Sequence, residues 1–125
     1  MKALPFWFVA LASLFALVGM AWGIQMSMTQ NFDLAPAHAH NNLIGFVSMT
    51  IYGFYYKLVP AAAVTRLDLV HFWLSALGAA TFGVGIAMAI SGQGEVLAII
   101  ASLLTILGAL VFAVTVFRNR AGLTV

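Results

Sequence analysis

The stretch VLAIIASLLTILGALVFAVTVF, residues 96–117, carries no charged side chain. Glu95 precedes it and Arg118 follows it, and its length matches the ~20 apolar residues that an α-helix needs to cross a bilayer. Inside hydrocarbon every backbone amide needs a partner within the protein, and a helix supplies those partners along its own length. The stretch therefore predicts a transmembrane helix and places the chain among all-α membrane proteins.

The composition of the whole chain agrees with this stretch. Of the 125 residues, 64% are hydrophobic and 6% are charged, and the mean hydropathy is +1.09. In a soluble domain about a quarter of the residues carry a charge, so soluble, disordered and nucleic-acid-binding proteins are excluded. The chain has no cysteine, which excludes disulfides, thiolate metal sites, iron–sulfur clusters and covalent haem attachment.

Charges, prolines and polar clusters divide the chain into four apolar segments. The segments predict four transmembrane helices in one domain, 1–125, and the short linkers make consecutive helices antiparallel neighbours. The run from Pro5 to Gly23 exceeds the roughly 7–15 apolar residues of a signal peptide, so the first segment is predicted to remain in the bundle. The helices are predicted at approximately residues 5–28, 36–59, 68–90 and 95–117.

The few charged residues predict the orientation of this bundle. One assignment puts every lysine and arginine on the cytoplasmic side, as the positive-inside rule expects, and both termini are then cytoplasmic. Asp33 and Glu95 mark the two outer loops. The basic residues so placed are Lys2, Lys57, Arg66, Arg118 and Arg120.

Aromatic side chains are expected where the helices meet the two membrane surfaces. The same orientation puts Trp22 near the outer surface. It puts four others at the inner surface: Trp7, Tyr55, Tyr56 and Trp73.

Two histidines near the outer end of the second helix are the first candidates for chemistry. His38 and His40 follow Pro36, whose ring suits the first turn of a helix, and an ionisable residue in a membrane segment suggests a functional site. Residues two apart on an α-helix point about 200° away from each other. Each imidazole therefore suits a separate flat group such as haem, and Gly45 leaves room on the face of His38. The alternative is a wetted interfacial pair bonded to Asn31, Asn41 or Asn42.

His71 is predicted near the inner end of the third helix, most of a membrane thickness from the other two histidines. It begins a stripe of small residues at every fourth position, which favours close helix packing. Packing with a hydrogen bond is the favoured role for His71, and a second, inner haem site or proton handling are the alternatives. The midspan hydroxyls of Ser48, Thr50, Thr81 and Thr105 are expected to bond their own preceding carbonyls.

Two segments of the second helix resemble a known family. HAHNNLIGF, residues 38–46, and YGFYYKLVP, residues 52–60, resemble haem-binding helices of cytochrome c oxidase subunit I, especially its nitric-oxide-reductase and C-type branches. The resemblance covers about one helix and a half. In that family a His-x-His pair on one transmembrane helix ligates two haems, one on each side. The resemblance implies that His38 and His40 ligate haem iron, with Asn42 and Gly45 beside them.

The family's subunit has twelve helices in three arcs of four, and this chain supplies one arc. Since oligomers favour closed cyclic symmetry, the resemblance implies a homotrimer with b-type haem between protomers. His38 of one protomer and His40 of the next are then the axial ligands. The implied role is electron transfer with a quinol or a periplasmic partner in a bacterial inner membrane. No further histidine cluster remains for oxygen or nitric oxide reduction, so enzyme activity stays open.

Two other classes of function stay open. Met26 and Met28, at the outer end of the first helix, suit copper(I) together with His38 and His40. That site requires an extended chain over 35–42, so that the two imidazoles converge, and it would define a copper carrier or oxidase assembly factor. A structural subunit without a cofactor requires only four helices that pack.

Overall fold

The computed structural model describes residues 3–124, and this part of the chain is helical with no strand. The first helix runs Leu4–Thr29, the third Arg66–Ile90 and the fourth Val96–Arg118. Each of these three is long and apolar enough to cross a membrane. The all-α prediction is confirmed.

The second helix is continuous but changes form twice. It begins as the α-helix Ala35–His40, continues as the π-helix Asn41–Ser48 and ends as the α-helix Met49–Leu58. Short 3₁₀ turns follow at Pro60–Ala63 and, after the fourth helix, at Arg120–Gly122. All four helices begin and end within two residues of their predicted limits, whereas the π form was not predicted.

The helix ends have local causes. Pro5 and Pro36 occupy the first turns of the first and second helices, where a missing amide hydrogen costs nothing. The first helix ends at Gln30, which is left-handed with φ 52°. Between the third and fourth helices the loop turns at Gly92 and Gly94, whose φ values of 75° and 109° suit glycine.

The third and fourth helices approach closely at small residues. A Cβ added at Gly78 would lie 2.8 Å from Thr105 Oγ1, and one added at Gly85 would lie 2.7 Å from the backbone nitrogen of Ala98. Gly108 faces Ser75 in the same way. Small side chains let helix backbones come together where no hydrophobic effect drives them, and this interface is such a case.

The described lysines and arginines lie at one end of the bundle, together with Asp68 in the first turn of the third helix, whereas Asp33 and Glu95 lie at the other. Lys57 lines a cavity with residues of the chain's start and of the second connection, and Arg118 lines another with Thr65 and Leu67. Asp33 lies at the opposite end, beside Ser91. These are called here the basic end and the acidic end. Lys2 lies outside the described residues.

The interfacial aromatic residues follow the prediction only in part. Trp7 and Trp73 are exposed on the outside of the bundle near the basic end. Tyr55 and Tyr56 lie at the same end of the bundle but are buried, so they do not face outward as the residues of an aromatic belt do. Their rings pack into the core because they share a face with Tyr52 and meet Phe8 and Phe112 of the neighbouring helices.

Candidate functional site

His38 and His40 lie in the first α-helical stretch of the second helix and point to opposite neighbours. His38 turns toward the first helix, where its Nε2 is 2.9 Å from the carbonyl oxygen of Gly19 and its ring meets the edge of Trp22. His40 turns toward the third helix and stacks on Phe82, with ring centres 5.0 Å apart and planes 12° apart. The divergence predicted from the two-residue spacing is observed.

His40 has one ring nitrogen engaged and one available. Nδ1 lies 2.7 Å from the carbonyl oxygen of Pro36, one turn earlier in the same helix. A carbonyl oxygen only accepts, so Nδ1 carries a hydrogen, and in the neutral ring Nε2 then holds the lone pair. Metal-binding histidines commonly donate their other ring N–H to a backbone carbonyl in this way, which orients the ring. His40 is only partly buried, and the arrangement suits a ligand to iron.

His38 presents a different arrangement, because its Nε2 is already occupied within the protomer. Nδ2 of Asn42 also lies 3.1 Å from this nitrogen. Because the Gly19 carbonyl accepts and the Asn42 amide nitrogen donates, Nε2 can hydrogen-bond to only one of the two in a given tautomer. Asn42 is thus in direct contact with His38, which is the contact expected for an interfacial pair bonded to a neighbouring asparagine. It fits only because Gly19 has no side chain: a Cβ there would overlap the Asn42 amide. To ligate iron through Nε2, His38 must release Gly19.

Gly45 does not leave open space within the protomer. A Cβ added there would collide with the ring of Phe15 from the first helix. The room that the sequence analysis assigned to a flat group at Gly45 is filled by Phe15, and that expectation is wrong for a single protomer. The glycine serves the packing of the first helix against the second.

The proposed copper site required an extended chain over residues 35–42, and the structure does not have one. Residues 35–40 are helical rather than extended, so the imidazoles of His38 and His40 diverge. Met26 is 6% exposed whereas Met28 is 80% exposed, which puts them on different faces of the first helix. Within residues 3–124 no group of three or more histidine, cysteine or acidic side chains is arranged to hold a metal ion. The four predicted copper ligands are not brought together.

The π-helical stretch begins directly after His40 and is the feature that sequence reasoning missed. The backbone amide of Asn41 approaches the carbonyls of both Ala37 and His38, and Ser48 Oγ donates to the carbonyl of Leu43, five residues earlier, at 2.9 Å. π-Helical segments are rare and often accompany functional sites. The extra residue per turn shifts every side chain after His40 relative to an α-helical count.

His71 lies near the basic end and is completely enclosed. Its relative exposure is 0%, and its Nδ1 is 2.9 Å from the hydroxyl of Tyr56. Aromatic rings surround it: Phe112 stacks at 5.3 Å between ring centres, and Tyr52 meets it edge-on at 4.5 Å. Phe8 closes the remaining side. The structure thus agrees with packing plus a hydrogen bond, and a haem at His71 would have to displace these rings.

Larger cavities lie away from the two outer histidines. Cavities of about 680, 380 and 360 Å³ open on the described part of the protomer, and neither His38 nor His40 lines any of them. The largest lies at the basic end beside Lys57. A flat cofactor bound to His40 therefore has to lie on the surface of the protomer rather than inside one of these cavities.

Comparison of the chain with known protein families, with curated proteins and with solved structures finds no match. The resemblance to oxidase subunit I therefore stays a prediction based on two short segments.

Proposed function

We propose that this chain is a four-span membrane protein that binds b-type haem in its acidic half through His40 and His38 and transfers electrons. The observation that carries the proposal is the arrangement of His40. Its tautomer is set by the Pro36 carbonyl, and its free Nε2 belongs to a partly exposed ring on the side of the helix opposite His38. Bound haem would supply one-electron redox chemistry.

The second helix is proposed as the fourth span. Its three consecutive stretches have 6, 8 and 10 residues and together connect the acidic end to the basic end. At a rise near 1.5 Å per residue such a length suffices to cross hydrocarbon. In π form the backbone hydrogen bonds still run within the helix, from an amide to a carbonyl five residues earlier, as a membrane span requires. Lys57 at its end fits a cytoplasmic basic end.

A haem bound by this chain would lie between protomers. The interior position at Gly45 is filled, whereas the surface beside His40 is apolar: its ring stacks on Phe82, and Leu43, one turn along, is exposed. A homotrimer with cyclic symmetry would bring His38 of one protomer toward His40 of the next. The interface would then complete a site that one protomer holds only in half.

The two ligands are not equivalent in this proposal. His40 needs no rearrangement, whereas His38 must exchange its contacts with Gly19 and Asn42 for iron. Binding through His38 therefore has to overcome the loss of those contacts, and Asn42 is placed to hold the ring until haem arrives. A bis-histidine haem would exchange electrons with a quinol or a periplasmic protein, in a bacterial inner membrane.

An absorption spectrum of the detergent-purified protein, oxidised and then reduced with dithionite, tests the proposal. We expect a Soret band with sharp α and β bands on reduction, and metal analysis that finds iron. Light scattering on the same sample should give the mass of a trimer. A colourless protein that contains copper would contradict the haem proposal and support a role in copper handling. A colourless, metal-free protein, after expression with added haem precursor, would leave only a structural subunit.

A further inference from the structure

Two buried side-chain atoms in the described part of the chain have no hydrogen-bond partner: His71 Nε2 and Thr105 Oγ1. The other midspan hydroxyls behave as predicted. Thr50 and Thr81 donate to carbonyls four residues earlier, at 2.7 Å each, and Ser48 donates within its own helix. Buried polar groups without a partner are rare, and a bound water molecule or ion is one arrangement that satisfies them.

Thr105 lies in the wall of a small cavity between the second, third and fourth helices. Ile44 and Ser48 of the second helix, Tyr52 one turn further, Ser75 of the third helix and Thr105 of the fourth line it. Its volume is about 20 Å³, whereas roughly 10–15 Å³ suffices for one water molecule. Four of the five lining residues carry a hydroxyl, so the cavity offers the two to four polar partners that an internal water needs.

The cavity adjoins the enclosure of His71. Ser75 lies one turn after His71 on the same buried face of the third helix. Tyr52 belongs to both places, since it lines the cavity and its ring centre is 4.5 Å from that of His71. The imidazole Nδ1 is taken by Tyr56. Nε2 is the ring atom left without a partner. His71 does not itself line the cavity, but Tyr52, which does, packs against the His71 ring, and Ser75 lies one turn further along the third helix.

We propose that this cavity is a binding site for one internal water molecule, anchored by Thr105 and hydrogen-bonded within the cluster of His71, Tyr52 and Ser75. The water satisfies both orphaned atoms and gives the apolar bundle a hydrated centre. The site is independent of haem: it uses none of the residues assigned to iron, and either proposal can fail alone.

Nuclear magnetic resonance of protein labelled with ¹⁵N-histidine tests this site. The chain has 3 histidines, so each imidazole can be assigned by substitution. We expect a water cross-peak at the His71 ring although that ring is fully buried. Thr105→Val should remove the cross-peak and lower the midpoint of thermal unfolding, because it deletes the anchoring hydroxyl at nearly constant volume. Thr105→Ser, which keeps the hydroxyl, should retain the cross-peak.

Thr81→Val is the matched control, since the Thr81 hydroxyl bonds only to carbonyls of its own helix, and it should leave the His71 cross-peak unchanged. If Thr105→Val does not fold, Ser75→Ala removes a second hydroxyl of the same wall and should weaken the cross-peak. An unfilled cavity predicts the opposite: removing an orphaned hydroxyl would stabilise the protein. A more stable Thr105→Val, or no water cross-peak at His71 in the unmodified protein, overturns the proposal.

Discussion

The two ends of this bundle use the same side chain in opposite ways. At the acidic end His38 and His40 are partly buried and diverge, and His40 keeps a free nitrogen on the outside of the protomer. Toward the basic end His71 has no exposed surface and lies among aromatic rings. This contrast indicates that accessibility limits what each histidine can do. An imidazole can ligate a cofactor only where it has a free ring nitrogen and the cofactor can reach it.

Local structure produces that difference. The acidic half has a helix start after Pro36, a π stretch after His40, and Gly19 and Gly45 at the contact with the first helix. The π stretch changes the direction in which the side chains after His40 point. The glycines let the first and second helices pack closely without large side chains between them. The basic half instead carries tyrosines and phenylalanines, whose rings close around His71.

Replacing His40 should abolish haem binding. In His40→Ala the pre-oriented ligand is gone and no other free imidazole faces that side of the helix, so the Soret absorbance per protein should fall to background. His38→Ala should also lose the six-coordinate spectrum. His71→Phe is the control, since it leaves both outer histidines intact. Unchanged haem content in both alanine variants would disprove ligation by this pair, provided that size-exclusion chromatography shows normal assembly.

Replacing His71 should affect stability rather than haem ligation. His71→Ala leaves a cavity among Phe8, Tyr52 and Phe112 and strands the Tyr56 hydroxyl. We expect a loss of about 2–4 kcal/mol in the free energy of unfolding, measured by denaturant titration in detergent. A variant that is as stable as the parent but has altered haem spectra would mean that the basic half binds cofactor. His71 would then not differ in role from the two histidines at the acidic end.

Removing the hydrogen bond to His71 should have a smaller effect. Tyr56→Phe keeps the ring packed on Phe8 but leaves His71 Nδ1 without its partner at 2.9 Å. The expected loss is about 1–2 kcal/mol in the free energy of unfolding, by the same titration. Tyr55→Phe is a matched control, because the Tyr55 hydroxyl makes a longer contact, 3.4 Å to the carbonyl of Thr115. Equal losses of unfolding free energy in the two variants would mean that the Tyr56–His71 hydrogen bond contributes no more than the longer Tyr55 contact.

Much of the fold could be predicted from the sequence, because apolar runs of membrane length leave the backbone no choice but a helix. The limits of all four helices follow from prolines, glycines and charges that act locally. The opposite directions of His38 and His40 also follow from local geometry, since a spacing of two residues fixes their angle on any α-helix.

Other features depend on contacts between helices and could not be predicted. The π stretch coincides with the packing of Gly45 on Phe15 and with a 3.3 Å hydrogen bond from Asn41 to the Phe15 carbonyl, both supplied by the first helix. The occupied nitrogen of His38 depends on Gly19 in the same way. Tyr56 was expected at a membrane surface because composition alone does not tell which face of a helix is buried.

The smallest expected effect concerns the methionines at the acidic end. Met28→Leu should change neither haem content nor metal content, because this side chain is 80% exposed and the imidazoles of His38 and His40 point to different helices. Met26→Leu should cost less than about 1.5 kcal/mol, since it exchanges similar volumes at a buried position. Metal analysis with copper(I) added under reducing conditions measures the first effect. Loss of stoichiometric copper in Met28→Leu would contradict the geometry, because binding would then require the second helix to unwind at 35–40 and bring both imidazoles to one ion.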